Sequence, residues 1–369
     1  MAAKKQQLGN VLVIGGCGFL GHHIVDLLLS RTISKVSVID LFTTRNRRPD
    51  SDGVGYFNAD ITDISALLPI FQKVKPDIVI HTASPTAVGT NNALYYKVNV
   101  EGTRCVVEVC EKANVKALVY TSSASIISDN NAMDLINADE RWPVMPAKSQ
   151  TEYYSQTKAE AEQLALAANR KNKLLTCSIR PAGIFGEGDI QNIPNFLNVH
   201  YTNRTNFQLG DNTNLFDFTY VQNVAYAHLL AAYALLQTST LSTPPLDHEK
   251  VDGEAFFITN CEPVYFWDFA RGVWQAAGRY DGTEKVWVIG RDVGLGLGGV
   301  MEWAYWFMGK TPKLTRKQVK YSCMTRYYDC TKAHRRLGYT PIVKLRDGIQ
   351  KTVDWFEEEK RKEGEKKGQ

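Results

Sequence analysis

The stretch from Val11 to Leu29, VLVIGGCGFLGHHIVDLLL, constrains this chain more than any other. Val11 to Ile14 is a short apolar run, as expected of a strand buried on both faces of a parallel sheet. Gly15, Gly18 and Gly21 follow at three-residue spacing, and from Phe19 the apolar residues recur at helical intervals through Leu29. Strand, glycine turn and helix adjoin without a spare residue. In that setting Gly15 allows a tight turn, Gly18 the close approach of a pyrophosphate, and Gly21 the packing of helix on strand. The helix start at Phe19 and Leu20 offers free N–H groups and a partial positive charge to phosphates. A second strand, Lys35 to Ile39, ends in Asp40, about twenty residues on, where a ribose-binding acid belongs. The stretch reads as a dinucleotide site.

The rest of the first half keeps the same rhythm. A polar loop with Arg45, Arg47 and Arg48 leads to a third strand ending in Asp60, and the helix-like ISALLPIFQKV follows. A fourth strand ends at His81, and a long helical segment covers Ala93 to Asn114. A fifth strand, Ala117 to Tyr120, runs into Thr121-Ser122-Ser123, and a sixth covers Leu174 to Arg180. Strands alternating with helices predict an α/β fold with a doubly wound parallel sheet. Beyond Pro181 glycine, proline, asparagine and aromatic residues dominate, and Gly183 to Tyr220 reads as a looped excursion. With 369 residues the chain suits two lobes around a cleft. Residues 8–182 are the expected dinucleotide domain, with 215–236 returning to it. Residues 183–214 and 237–360, the latter with a strand at Glu254 to Thr259, form a smaller substrate lobe, and 361–369 a charged tail.

The chemistry is expected on the alanine-rich helix from Glu152 to Arg170. Tyr154 and Lys158 stand at i and i+4, so their side chains share a face. An ammonium beside a phenol favours the phenolate, whose unperturbed pKa is about 10. That is what a general base for an alcohol requires. Ser123, at the end of the fifth strand, is placed to hold a substrate oxygen, with Ser122 as its neighbour.

Composition narrows the field. A net charge of +4, with scattered basic residues, gives no argument for nucleic acid. Seven dispersed cysteines without a CxxC pair read as buried thiols in a reducing compartment, and no metal site is expected. MAAKKQQLGN lacks an apolar signal core, which points to the cytosolic side. The sequon Asn203-Arg204-Thr205 then carries no glycan.

GxxGxxG, the Asn99 segment KVNVEGT, TSSAS, YSQTK and RPAGIFGEGD together resemble the extended short-chain dehydrogenase/reductases. Within them HTASP at 81–85, NADERWPV at 137–144, LFDFTYVQNVAYAH at 215–228 and GEAFFITN at 253–260 resemble the 3β-hydroxysteroid dehydrogenase family. The closest likeness is to its fungal branch that oxidises and decarboxylates sterol-4α-carboxylates. The resemblance implies a Rossmann sheet with a smaller C-terminal lobe. It makes Tyr154 the acid/base, Lys158 its partner and a ribose ligand, and Ser123 the family's serine. Asp60 and Ile61 would flank the adenine, Ala83 and Ser84 line the cofactor, and Pro181 sit by the nicotinamide. A turn or helix cap is the other reading of Asp60, and Asn99 would fix a helix or a water. The implied reaction oxidises a 3β-hydroxyl beside a 4α-carboxylate. The resulting β-keto acid loses carbon dioxide, as in the C4 demethylation of sterol (ergosterol) biosynthesis. Asp40 favours NAD, while the arginines after it leave NADP open. Other functions in view are a 3β-hydroxysteroid or triterpenoid dehydrogenase of a specialised pathway and a sugar-nucleotide epimerase.

A lipophilic acid substrate raises the matter of membranes. No run of eighteen apolar residues exists, so a spanning helix is not expected. Val286 to Met308 mixes tryptophan, glycine and a few charges, which suits interfacial insertion, a pocket wall or core. The terminal KKGQ, with Lys366 and Lys367, resembles a dilysine retrieval signal. Together these suggest peripheral attachment to the cytosolic face of the endoplasmic reticulum. A homodimer and contact with other C4-demethylation enzymes are further expectations.

Overall fold

The central strands of the main sheet are buried apolar runs, and they set the architecture. In the computed structural model, residues 5–367 are described, apart from 88–90, 132, 280, 281, 311 and 313 and the side chains of 366 and 367. The last two residues of the KKGQ signal and the side chains of its lysines therefore lie outside what is described. Seven parallel strands form the sheet: β1 (Gln6–Ile14), β2 (Thr32–Asp40), β3 (Gly55–Asn58), β4 (Ile78–His81), β5 (Ala117–Thr121), β6 (Leu175–Pro181) and β7 (Ala255–Ile258). Their spatial order is β3-β2-β1-β4-β5-β6-β7. All four residues of β4 and all five of β5 are buried, because helices cover both faces. The order reverses direction between β1 and β4. At such a switch point the two flanking loops splay apart and open a crevice at the carboxyl ends of the strands.

Local sequence sets the helices. Ile64–Val74 starts at Asp63, whose carboxylate accepts the N–H groups of Ser65 at 2.8 Å and Ala66 at 3.3 Å. The long segment after β4 is interrupted: Asn92–Tyr95 and Gly102–Lys112 are joined by a π-helical turn, Tyr96–Glu101, which turns Asn99 inward. Val221–Thr238 returns to the sheet and packs beside Phe19–Arg31.

Two expectations need correction. The sequence places residues 255–258 in the smaller lobe, yet they form β7, the edge strand of the main sheet, paired with Ser178–Pro181. Its four residues are all buried, and it closes the sheet beyond β6. The excursion at 183–220 is also more regular than a loop. It holds the helix Ile193–Tyr201 and strands of two or three residues. Leu215–Phe216 joins Val264–Tyr265, Arg326–Tyr328 and Leu135–Ala138 in a second, four-stranded sheet. Aromatic rings fill the space behind it, with Phe218 stacked on Phe269 at 3.6 Å.

Candidate active site

The phosphate cradle follows from two close approaches. Gly15 has φ +82°, and a Cβ there would lie 2.6 Å from the Ala83 nitrogen. A Cβ on Gly21 would lie 2.0 Å from the Gly15 carbonyl oxygen. Only glycine lets the turn fold this tightly between β1 and the loop after β4. Phe19–Arg31 starts at Gly18 with no side-chain cap, which leaves its first N–H groups, from Phe19, Leu20 and Gly21, along the cleft. Asp40 ends β2 at the same rim, and its carboxylate accepts the Cys17 N–H at 3.0 Å. Of the three nearby arginines, Arg47 pairs with Asp50 and Arg48 with Asp52 and Asp26. Arg45 lines the cleft. Asp60 and Ile61 line it further along. Asp60 accepts from the Thr62 N–H at 2.9 Å and hydroxyl at 2.8 Å, so its carboxylate makes a local turn.

The candidate catalytic groups meet where β4, β5 and β6 end. Tyr154 and Lys158 lie on the helix Tyr153–Ala167, one turn apart. Burial pushes the Tyr154 phenol up to about 12, against a smaller lowering by a hydrogen bond with Ser84. Lys158 does not reach that phenol. Its ammonium donates to the Thr121 carbonyl and lies 4.5 Å from the Tyr120 ring centroid. Burial draws its pKa down to about 7, with Glu162 opposing. Glu162 also pairs with Arg180, Nε to oxygen, at 2.9 Å. The expected lowering of the phenol by the lysine is thus absent from this arrangement, and burial sets the direction of the shift.

Ser84 also donates to Asn99 Oδ1 at 2.9 Å, and the Asn99 amide donates to the Thr157 hydroxyl at 3.0 Å. Asn99 therefore ties the loop after β4 to the tyrosine's helix. Ser123 caps a short 3-10 turn, Ala124–Ile127, and its hydroxyl meets that of Ser125 at 2.8 Å. Ser125 meets Ser155 at 2.8 Å, and the Asn130 amide donates to Ser155 at 3.2 Å. Sequence reading missed this hydroxyl run, although Ser125 stands in TSSAS and Ser155 beside Tyr154. It also passed over Asp217, whose carboxyl is pushed by burial up to about 7 and accepts the Tyr328 N–H at 2.8 Å.

The cleft encloses about 1300 Å³, more than one small ligand needs, and Ala83, Ser84, Ser122, Ser123, Tyr154, Lys158 and Pro181 all line it. Ser122 is buried, and its hydroxyl finds no hydrogen-bond partner among the described residues. An orphaned hydroxyl, an open helix start and a carboxylate at the end of β2 fit a dinucleotide whose reactive ring lies near Tyr154. With a phenol and a serine hydroxyl beside it, the arrangement can move a proton to or from a hydroxyl or carbonyl oxygen. No cluster of three or more His, Cys, Asp or Glu side chains suited to a metal occurs among the described residues.

The sequence profile of the 3-beta hydroxysteroid dehydrogenase/isomerase family matches residues 12–288. The sterol-4-alpha-carboxylate 3-dehydrogenase, decarboxylating, of Schizosaccharomyces pombe is 41% identical over 96% of this chain and 99% of its own length. The Homo sapiens enzyme of that name is 34% identical over 96% and 90%. Among solved structures, a Thermus thermophilus UDP-glucose 4-epimerase in complex with NAD has a TM-score of 0.68 at 24% identity, covering 94% of this chain and 98% of its own. A Bordetella bronchiseptica enzyme, WbmH, in complex with NAD+ reaches 0.70 at 19% identity, covering 96% and 99%. At these identities the two structures speak for the fold alone.

Proposed function

The chain belongs to the 3-beta hydroxysteroid dehydrogenase/isomerase family, and from that membership we propose that it is a decarboxylating sterol-4α-carboxylate 3-dehydrogenase. The observation that carries this reading is the likeness to enzymes of that name along nearly the whole chain, substrate lobe included. When bound, a nicotinamide dinucleotide supplies the hydride acceptor and a positive charge that favours the phenolate. Tyr154 takes the proton of the 3β-hydroxyl as hydride leaves C3, and Ser123 donates to the same oxygen. Lys158 holds the end of β5 against the tyrosine's helix and would be the group to bind the ribose of the dinucleotide. The product is a β-keto acid. Its C3 carbonyl, held by Ser123 and Tyr154, accepts the electron pair released when the bond from C4 to the carboxyl breaks. Carbon dioxide leaves; the enolate oxygen takes a proton back from Tyr154, and the enol becomes the ketone as C4 takes a proton from water and the hydroxyl proton is released.

The dinucleotide rests on the Gly15–Gly21 turn, with Asp60, Ile61, Ala83, Ser84, Ser122 and Pro181 along it. NAD is the preferred form, because Asp40 accepts from ribose hydroxyls and repels a 2′-phosphate. Incubating the purified protein with NAD and a 4α-carboxysterol, then identifying the sterol formed, tests the reading. The expected product is the 3-ketone without the carboxyl; recovery of unchanged hydroxy acid overturns it.

Peripheral attachment to a bilayer, at the cytosolic face of the endoplasmic reticulum, fits a substrate of this kind. No described helix is long and apolar enough to cross a membrane. Support comes from Arg291–Phe307, where Trp303, Trp306 and Phe307 are 65%, 74% and 67% exposed. Such exposure argues against a core or pocket-wall role for these rings. Tryptophan and phenylalanine beside charged residues favour the interface over full insertion.

A further inference from the structure

The second sheet carries a cation into the cleft that the reaction outlined above leaves unused. Arg326 begins the strand Arg326–Tyr328, opposite Phe216 on one side and Leu135 on the other, and lines the cleft. Its Nε donates to the Tyr328 hydroxyl at 2.8 Å and its Nη1 to Asn130 Oδ1 at 3.1 Å. Among the described residues no carboxylate lies within ion-pair distance of it. Two acids of this region have other partners: Glu152, whose charge is felt at Arg326, pairs with Lys317 at 2.7 Å, and Asp217 holds the Tyr328 N–H. Arg326 is half-buried, and its guanidinium faces the cleft without an acid beside it; a cation so placed favours an anionic ligand over a neutral one. Both of its present partners are neutral, and Nη2 makes no hydrogen bond to a described residue.

Its position relative to Ser123 says which anion. Three hydrogen bonds lead from Ser123 through Ser125 and Ser155 to Asn130, and a fourth joins Asn130 to Arg326. An oxygen held at Ser123 and Tyr154 therefore has beside it a polar wall ending in a cation. Ser125, Ser155, Asn130 and Arg326 all line the same cleft as Ser123 and Tyr154, so a substrate bearing a carboxylate beside the oxidised carbon would find this wall within its site. Guanidinium and carboxylate are matched in shape, since two parallel N–H donors meet two oxygens.

We propose that Arg326 selects the carboxylated substrate, receiving its carboxylate on the free edge of the guanidinium beside the Ser125–Ser155–Asn130 wall. The inference rests on the function proposed above and adds the residue that distinguishes a sterol acid from a neutral sterol.

The test compares two ligands. KM is measured for a 4α-carboxysterol, and Ki for the matching 4α-methylsterol as inhibitor of its oxidation. Arg326→Gln should raise KM for the acid about 10- to 100-fold, the range of a charge-assisted pair, and leave Ki for the neutral sterol near the parent value. Arg326→Lys should fall between. Asn130→Asp places a resident carboxylate on the guanidinium with little change of volume, so it should also raise KM for the acid alone. It keeps the test open should Arg326→Gln fail to fold, which melting and NAD affinity would reveal. KM and Ki rising together in Asn130→Asp and Arg326→Lys would make Arg326 a structural tie and overturn the proposal. A parent enzyme that oxidises no 4α-carboxysterol at all fails earlier, at the proposed function, and takes this inference with it.

Discussion

Lys158 lies one turn beyond Tyr154 on the same helix, yet its ammonium donates to the Thr121 carbonyl at the end of β5 and not to the phenol. The lysine pins the helix to the sheet. It does so in a dry pocket, where burial also holds His81 down to about 3 and His228 down to about 4, the cation of Lys158 adding to both.

Stability should record that burial. Folded Lys158 gives up its proton near pH 7, whereas an unfolded lysine keeps it to about 10.4. Between those values the unfolded chain binds more protons, so stability rises with pH, and below pH 7 the penalty is complete. Lys158→Met should therefore melt above the parent at pH 6, with a gain that shrinks by pH 10. A gain independent of pH across calorimetric scans would show that the lysine is not desolvated.

Tyr154→Phe should leave NAD affinity nearly unchanged and lower turnover about 10²- to 10⁴-fold, the usual worth of a general acid–base. The change deletes the phenolic oxygen and keeps the ring that meets Tyr95 edge-on at 5.6 Å. Turnover remaining within a few-fold of the parent would move the proton transfer to another group.

Asp40→Ala should weaken NAD more than NADP. The carboxylate that repels a 2′-phosphate is removed, while Arg45 stays at the cleft and Arg47 and Arg48 keep their acidic partners. Michaelis constants for both cofactors decide it; if neither changes, Asp40 serves only the Cys17 N–H.

Trp303→Ser with Trp306→Ser should move the protein from sedimenting vesicles to the supernatant, since these exposed rings supply much of the apolar face of Arg291–Phe307. A parent protein that stays in the supernatant with vesicles, without detergent, would show that the face serves something other than a bilayer.

Much of the dinucleotide half was legible because its signals are local. The run Val11–Ile14, the three glycines and Asp40 lie within thirty residues, and each has one steric or electrostatic job. The spacing of Tyr154 and Lys158 was equally plain. The direction of the lysine was not, because a carbonyl on β5 decides it, 37 residues away. β7 was legible as a strand but not as part of the main sheet, since its partner β6 is separated from it by the whole 183–254 segment. Strands such as Leu215–Phe216 and Arg326–Tyr328 are too short to show a period, and their pairing is non-local. Arg326 was invisible for that reason. Composition likewise left Val286–Met308 open between interface, pocket wall and core, and only the packing shows which of its rings face outward.

The central claim is that oxidation at C3 creates the electron sink for loss of the C4 carboxyl, and one assay follows both events. The purified protein is given NAD and a 4α-carboxysterol labelled in the carboxyl carbon, and NADH and labelled carbon dioxide are followed together. Carbon dioxide should follow NADH mole for mole, and none should appear without NAD. NADH that accumulates while the label stays in the sterol, or label released without NAD, would contradict it.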